Sequence, residues 1–566
     1  MSIRIVSRLL VTVLVPLAFL ASFYLYLYPL FHGCAFPLPS SSPATSWHRT
    51  LIQHAPFLSQ REVSESNDNP PFRLLVLADP QLEGDSSLPD PEDGLLSKLA
   101  QHRELVFNPH QTKAHRKKVI KTALREIFFD DIPEALKALQ KRIDLFGNDY
   151  YLAHVFRTLR WWTKPSHITV LGDLIGSQWV TDEEFDYRAW RYWNRVFTGT
   201  EKFEHPDRPL EDSSLSNSTD EWTNRLINVA GNHDIGYAGD ISTARLARFE
   251  RNFGRPDWDV RFNLPTKNSA TSPSLHLIVL NDLLLDTPAI NTTIQSQSYD
   301  FLNHIITQRS HPVEDTSSFT LLLTHVPLHK PQGVCVDAPF FGFHEEGDAE
   351  KGYESGGLRE QNHLSDHASR VGVLEGIYGM SKNRAAAGKG MGRRGLILTG
   401  HDHEGCDVWH YLPHLPGPSS TPTAGNENEN TAESPDDGWH TVPYASANRS
   451  ASYTGIREIT LRSMMGHFGG NAGLLSLWFD EELGEWRFEA QMCPLGVQHI
   501  WWGVHALDLV AGLSLAVWSV FWWCGTGGEE KGGQKGKIPK LGKEIVEKEK
   551  GGDTGKQSKV GDEKDR

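Results

Sequence analysis

Short apolar runs, each stopping at a polar residue, recur along the middle of the chain: RLLVLAD (73–79), HITVLGDLIG (167–176), RLINVAGNHD (225–234), SLHLIVLND (274–282), FTLLLTHVPL (319–328) and GLILTGHDH (395–403). Runs this short, with little polar alternation and with turn residues at their ends, predict strands buried on both faces. Between them lie helical patterns at about 111–162 and 182–198. Strands alternating with helices predict a layered α/β fold. Polar, low-complexity insertions at 204–222, 340–395 and 414–440 read as mobile surface loops. No internal repeat is present.

Two segments carry a different pattern. Leu9 to Phe31 is 23 residues without a charge, long enough to cross a bilayer and without a clear small-residue cleavage site. Trp501 to Cys524 is also apolar, with Trp pairs at both ends like an interfacial belt. Its one acid, Asp508, has two readings, a place near the headgroups or a polar partner. Arg4 and Arg8 precede the first segment, and Lys531, Lys535, Lys537, Lys540 and Lys543 follow the second, which predicts that both tails are cytoplasmic. The expected order is a cytoplasmic N-terminus (1–8), a membrane helix (9–31), a lumenal linker (32–70), a lumenal domain (71–498), a membrane helix (501–524) and a disordered cytoplasmic tail (525–566).

Composition adds limits. A formal charge of −15 and a pI near 5.9 give no reason to expect nucleic acid as partner. Sequons at Asn217, Asn291 and Asn448 agree with a lumenal domain. Of five cysteines (Cys34, Cys335, Cys406, Cys493, Cys524), four fall between the membrane segments, so one or two bridges are possible and their pairing stays open.

Five of the predicted strands end in residues that bind divalent metal: Asp79 with Gln81; Asp173; Asn232, His233 and Asp234; His325; and His401 with His403. Singly each is weak, because an acid or histidine after a strand is common. Together and in this order they resemble the calcineurin-like metallophosphoesterase superfamily, whose blocks read D-x-H, G-D, G-N-H-[DE], H and G-H-x-H, over about 72–410. The resemblance implies a four-layer α/β sandwich of two facing mixed sheets flanked by helices, here with a transmembrane helix at each end. It implies two divalent ions. Asp79, Gln81, Asp173 and His403 would hold the first, and Asp173, Asn232, His325 and His401 the second, with Asp173 as bridge. Mixed oxygen and imidazole ligands suit Mn²⁺, Fe or Zn²⁺ better than Ca²⁺ or Mg²⁺, and among these the resemblance implies Mn²⁺. Such a centre activates water for in-line attack on phosphorus. His233 is then placed to protonate the leaving group, and Asp234 to orient its imidazole, unless Asp234 is only a turn or cap residue.

Gln81 stands where the superfamily usually has histidine. It can be a weaker ligand through its amide oxygen, reach the metal through water, or mark a dead site. Four further blocks, NDYYLAHVFRTLRWWTKPSHITVLGDLIGS (148–177), GYESGGLREQNHLS (352–365), GHDHEGCDVWH (400–410) and REITLRSMMGHFGGNAGLLSL (457–477), look like the membrane-anchored branch that acts on glycosylphosphatidylinositol (GPI) anchors, where Asp-Pro-Gln is a usual first block. That branch implies a phosphodiesterase removing ethanolamine phosphate from a mannose of the GPI glycan in the endoplasmic reticulum membrane, or the Golgi. GPI-anchored proteins and their export machinery would be its partners. The 340–395 insertion would shape the substrate site or be a variable surface loop. Two rivals are a metal-dependent phosphomonoesterase and a non-catalytic receptor for GPI-anchored cargo.

Overall fold

The computed structural model describes residues 3–39, 50, 54, 70–84, 94–204, 213–215, 222–265, 272–308, 312–345, 355–381, 383, 385–413, 438–447 and 453–526. The 525–566 tail beyond Thr526, most of the 32–70 linker, the 414–437 part of the third insertion, and the sequons at Asn217 and Asn448 lie outside the described residues.

One sheet has the order β16 (Glu485–Pro494), β15 (Asn471–Asp480), β1 (Phe72–Leu77), β2 (His167–Val170), β5 (Arg225–Asn228), β3 (Glu201–Lys202). The second runs β13 (His440–Pro443), β12 (Cys406–Pro413), β14 (Tyr453–Thr460), β11 (Gly395–Thr399), β8 (Ser318–Leu323), β7 (Ser274–Val279), β6 (Trp258–Asn263), β4 (Ser213–Ser214). Both are mixed: β1, β2 and β5 are parallel, as are β7, β8, β11 and β14, with antiparallel strands added at the flanks.

Side-chain direction in the strands builds the layers, because successive residues point to opposite faces. Phe72, Leu74 and Val76 of β1 join Phe319, Leu321 and Leu323 of β8 and Leu396 and Leu398 of β11 in one core between the sheets. The intervening Leu75, Leu77, Leu322 and Ile397 pack outward among helical residues such as Tyr151, Val155, Phe185, Phe249, Leu302 and Ile305. Strands covered on both sides explain why their sequences read as continuous apolar runs.

The helices are α1 (Ile3–Tyr26), α2 (Leu95–Phe107), α3 (Lys113–Glu126), α4 (Ile132–Thr163), α5 (Asp182–Arg191), α6 (Thr243–Phe253), α7 (Thr292–Thr307) and α8 (Gln498–Thr526), with a π turn joining α3 to α4. Asn291, the remaining sequon, caps α7 by accepting from the backbone N–H groups of Thr293 and Ile294.

Two helices are long and apolar enough to cross a membrane, over Ile5–Tyr26 and Gln498–Trp523. The first starts earlier than the sequence suggests and stops at Tyr26, because Pro29 opens a separate short turn, Tyr28–Phe31. Among the described residues, those of 16–509 form one compact unit, and those of 3–15 with 510–526 another. Within the larger unit Ser22 donates to both carboxylate oxygens of Asp508, at 2.8 and 3.0 Å, and His505 Nδ1 lies 3.5 Å away. Asp508 therefore has a polar partner on the other membrane helix. Disulfides join Cys34 to Cys493 and Cys335 to Cys406.

The 340–395 insertion is not only a loop. Its described part forms a hairpin of β9 (Phe341–Phe343) with β10 (Leu358–Gln361), then a helical segment, Ala368–Ile377, against α7. Leu358, Leu364, Val373, Leu374, Ile377 and Tyr378 are buried there. Their apolar positions are diluted in the sequence by glycine and charge, so a composition average misses them.

Candidate metal centre

The polar residues after β1, β2, β5, β8 and β11 converge at the same edge of the two sheets. Asp79, Gln81, Asp173 and His401 adopt left-handed backbone with φ of 51°, 41°, 51° and 72°. Residues with a Cβ seldom hold that conformation without compensation, and such strain collects at functional sites. Glycines let the loops close on one another. A Cβ at Gly231 would fall 2.1 Å from the Asp173 nitrogen, and one at Gly172 would fall 2.2 Å from His325 Nδ1. The Gly of each motif is therefore a packing requirement.

Asp173 lies at the centre. Its Oδ1 is 3.4 Å from His325 Nε2 and accepts the His233 backbone N–H at 2.8 Å. Its Oδ2 faces Gln81 Nε2 at 2.9 Å. On one side of it, ligand atoms of Asp79, Asp173 and His403 lie within 4.8 Å of one another. On the other, Asn232 Oδ1 sits 2.9 Å from both His325 Nε2 and His401 Nδ1.

The outer nitrogens are held by backbone. His325 Nδ1 donates to the Leu171 carbonyl at 2.8 Å, and His401 Nε2 to the Gln361 carbonyl at 2.7 Å. Each ring then turns its unprotonated nitrogen inward, where it meets oxygen acceptors. Burial disfavours the charged form of these rings. It lowers the pKa of His325 and His403, and with His325 alongside it pushes His401 down to about 3. Burial and then Asp173 raise the pKa of Asp79, whose Oδ2 is buried without a hydrogen-bond partner. Burial alone would raise Asp173 too, but His325, His233 and His401 outweigh it and hold it low. Acceptors facing acceptors around buried carboxylates is an arrangement that cations relieve, so the donor set fits divalent metal.

Two of the expected site residues have further contacts. Gln81 presents its Nε2 inward, 2.9 Å from Asp173 Oδ2 and 3.1 Å from His403 Nε2, so its amide donates where a ligand would accept. Coordination through oxygen needs the amide turned over. Asp234 does not reach the His233 ring with either oxygen. Oδ2 accepts the Gly231 N–H at 2.8 Å and Oδ1 the Ile175 N–H at 3.0 Å, so it ties the β2 and β5 loops together as a buried cap. His233 itself is at the mouth, 38% exposed, with Nε2 3.8 Å from Asp173 Oδ2.

Other contributors carry no metal-binding chemistry of their own and escape a motif search. Ser463 donates its Oγ–H to the Asp79 carbonyl at 3.0 Å and its N–H to the His403 carbonyl at 3.1 Å, and the Phe468 ring lies 5.0 Å from the His403 ring. The resemblance over 457–477 was the available signal. The bridge from Cys406, just after His403, to Cys335 pins the same loop.

A cavity of about 560 Å³ opens from Gln81. Glu83, Lys141, Asp144, Asn148 and His467 line it, as do Val497 to His499 and Trp502, where α8 begins.

Replacing Gln81 by His tests that position. An imidazole there is expected to tighten metal binding about tenfold, the scale of a good ligand-shell change, while hydrolysis persists. Metal content retained against graded chelator reads it. Unchanged affinity would place residue 81 outside the metal's reach.

No family model matches the chain. Protein TED1 of Saccharomyces cerevisiae is 32% identical over 423 residues, which cover 68% of this chain and 77% of that protein. An uncharacterized protein of Schizosaccharomyces pombe is 29% identical over 352 residues, 59% of this chain and 63% of that one. Metallophosphoesterase 1 of Danio rerio is 22% identical over 307 residues, 51% of this chain and 65% of that protein. With the two-sheet fold and the convergent acid, amide and imidazole side chains, these likenesses make the chain a member of the calcineurin-like metallophosphoesterase superfamily, in the family that includes Protein TED1.

Proposed function

We propose that this protein is a phosphodiesterase that removes ethanolamine phosphate from a mannose of the GPI glycan at the endoplasmic reticulum membrane, its domain on the lumenal side. The observation that carries the reading is the cavity. Gln81, the one residue of the cluster that lines it, shares the cavity with Gln498, His499 and Trp502 at the start of a membrane helix, a setting that suits a phosphodiester held at a bilayer surface.

Asp79, Asp173, His403 and, with its amide turned, Gln81 would hold one ion; Asp173, Asn232, His325 and His401 would hold the other. Bound there, divalent ions such as Mn²⁺ supply Lewis acidity toward the phosphoryl oxygens and a more acidic water. The chain's own residues do the rest. Asp173 carries the charge shared by both halves of the site, and the Leu171 and Gln361 carbonyls fix the tautomers of His325 and His401. Water adds its oxygen to phosphorus and releases a proton to solvent, the bond from phosphorus to the mannose oxygen breaks, and the sugar oxygen takes a proton. His233, exposed beside Asp173, is placed to give that proton.

The charge of the cavity favours a zwitterionic diester over a monoester dianion. Its one lysine, Lys141, is already paired with Glu83 at 2.5 Å, and Asp144 adds a second acid. Arg394, a cation near the motifs, pairs with Glu485 instead. Both disulfides lie between the membrane helices, in keeping with an oxidising compartment.

Purified full-length protein with Mn²⁺ should hydrolyse bis(p-nitrophenyl) phosphate in preference to p-nitrophenyl phosphate. Preference for the monoester would overturn the diesterase reading. Mass spectrometry of GPI glycans from cells lacking the protein should show ethanolamine phosphate retained on one mannose, and unaltered glycans would overturn the substrate.

His233→Ala separates proton donation from other roles. A sugar alkoxide needs a proton to leave and p-nitrophenolate does not. The variant should therefore lose about 10²–10⁴ in turnover on alkyl diesters and much less on p-nitrophenyl esters. Equal losses on both would remove His233 as the acid.

A further inference from the structure

Among the described residues, an apolar stripe of helix α4 has no cover. Leu136, Leu139, Ile143, Phe146 and Tyr150 are 60%, 52%, 49%, 53% and 38% exposed. Their spacing of three and four residues puts them on one helix side. Phe128 and Phe129, in the turn that enters α4, are more exposed still. A stripe of this length facing water is a liability unless something apolar covers it.

Continuity along the helix identifies the cover. The next turns of α4 pack on the domain-side ends of both membrane helices. Gly147 is pressed against the Trp502 ring, Tyr151 meets Trp501 edge-on at 6.2 Å, and His154 meets Tyr26 edge-on at 5.1 Å. Trp162 Nε1 donates to the Tyr26 carbonyl at 2.8 Å. At α-helical periodicity the exposed stripe and residues 147, 151 and 154 fall within an arc of about 140°. The side of α4 that meets the span ends therefore runs on into the exposed stripe.

Charge agrees. Helix α3 carries Lys113, Arg116, Lys117, Lys118, Lys121 and Arg125 against a single acid, Glu126, in a protein of net charge −15. A basic helix joined to an apolar stripe is the composition of a segment lying in a lipid interface, cations at phosphate level and apolar side chains below.

We propose that α3, the Phe128–Phe129 turn and the first half of α4 form an interfacial foot, inserted in the phospholipid leaflet from which the two membrane helices enter the domain. The foot is a third attachment, separate from the spans. It also sets the height of the active-site cavity, because Lys141, Asp144, Leu145 and Asn148 of α4 line that cavity.

The test uses full-length protein in nanodiscs of phosphatidylcholine with phosphatidylserine. Cysteine is introduced as Leu139→Cys, or separately Phe128→Cys, in a Cys524→Ser background and carries an environment-sensitive fluorophore. Lipid spin-labelled near the headgroup should quench most of the emission at both positions, as at a Leu509→Cys control on α8, whereas iodide in the water should not. At Lys137→Cys, on another side of α4, the order should reverse. Quenching of positions 139 and 128 by iodide and not by lipid overturns the proposal. So does protection from both quenchers, which would mean that a second copy of the chain covers the stripe.

Discussion

Asp173→Asn is expected to lower diester turnover by about 10³-fold or more, since one carboxylate serves both halves of the centre. The same change should lower the thermal stability of the metal-free protein. The folded Asp173 pKa is held below the ordinary value, so its charged form stabilises the fold above the usual carboxylate range, and Asn removes that contribution while it can still accept the His233 N–H. Kinetics on bis(p-nitrophenyl) phosphate and thermal melts in chelator measure the two arms. Turnover within tenfold of the parent would remove Asp173 as the shared ligand, and an unchanged melt would remove its electrostatic contribution.

Lys330→Met is expected to cost about 3–5 kcal/mol of stability, the usual penalty for stranding one member of a buried ion pair. Lys330 and Glu458 are 1% and 0% exposed and 2.9 Å apart, and His410 Nε2 approaches the other Glu458 oxygen at 2.5 Å. Burial by itself would raise the Glu458 pKa, but Lys330 and His410 overcome it and bring it down to about 2. A folded value below the unfolded one means that this contribution is complete above the ordinary glutamate range. It fades as pH falls through about 2. In Lys330→Met the folded Glu458 pKa moves up toward the unfolded one, so the part of the stability lost on acidification through this group should shrink. Denaturant midpoints across pH measure it, and Lys330→Met combined with Glu458→Gln should recover much of the loss. A double variant as unstable as the single one would argue against the pair.

How much of this was legible beforehand depended on whether the signal was local. The strand ends were, because a strand covered on both faces must be apolar throughout and must stop where the chain turns. So was the acid, amide and imidazole set, since each sits at such a stop. Helical patterning foretold α3, α4 and α5 but not α2, α6 or α7; the short stretch of α2 has no buried residue to mark it. Asp234 shows the limit. Spacing put it beside His233, but only the fold reveals that backbone N–H groups of Gly231 and Ile175 take both its oxygens. The inward face of the Gln81 amide, the Ser22 partner of Asp508 and the cysteine pairing are contacts over 92, 486 and 459 residues of separation respectively. No local pattern encodes such distances.

The bridge between Cys34 and Cys493 makes the chain between the membrane helices a closed ring, with both helices leaving it from one covalent knot. A single protease cut anywhere on that ring opens it without freeing either piece. Each piece keeps its anchor, and the sulfur pair keeps them together. Mechanical load follows the same route: tension on one helix passes through the knot to the other and bypasses the strand-end loops that hold the acid and imidazole side chains.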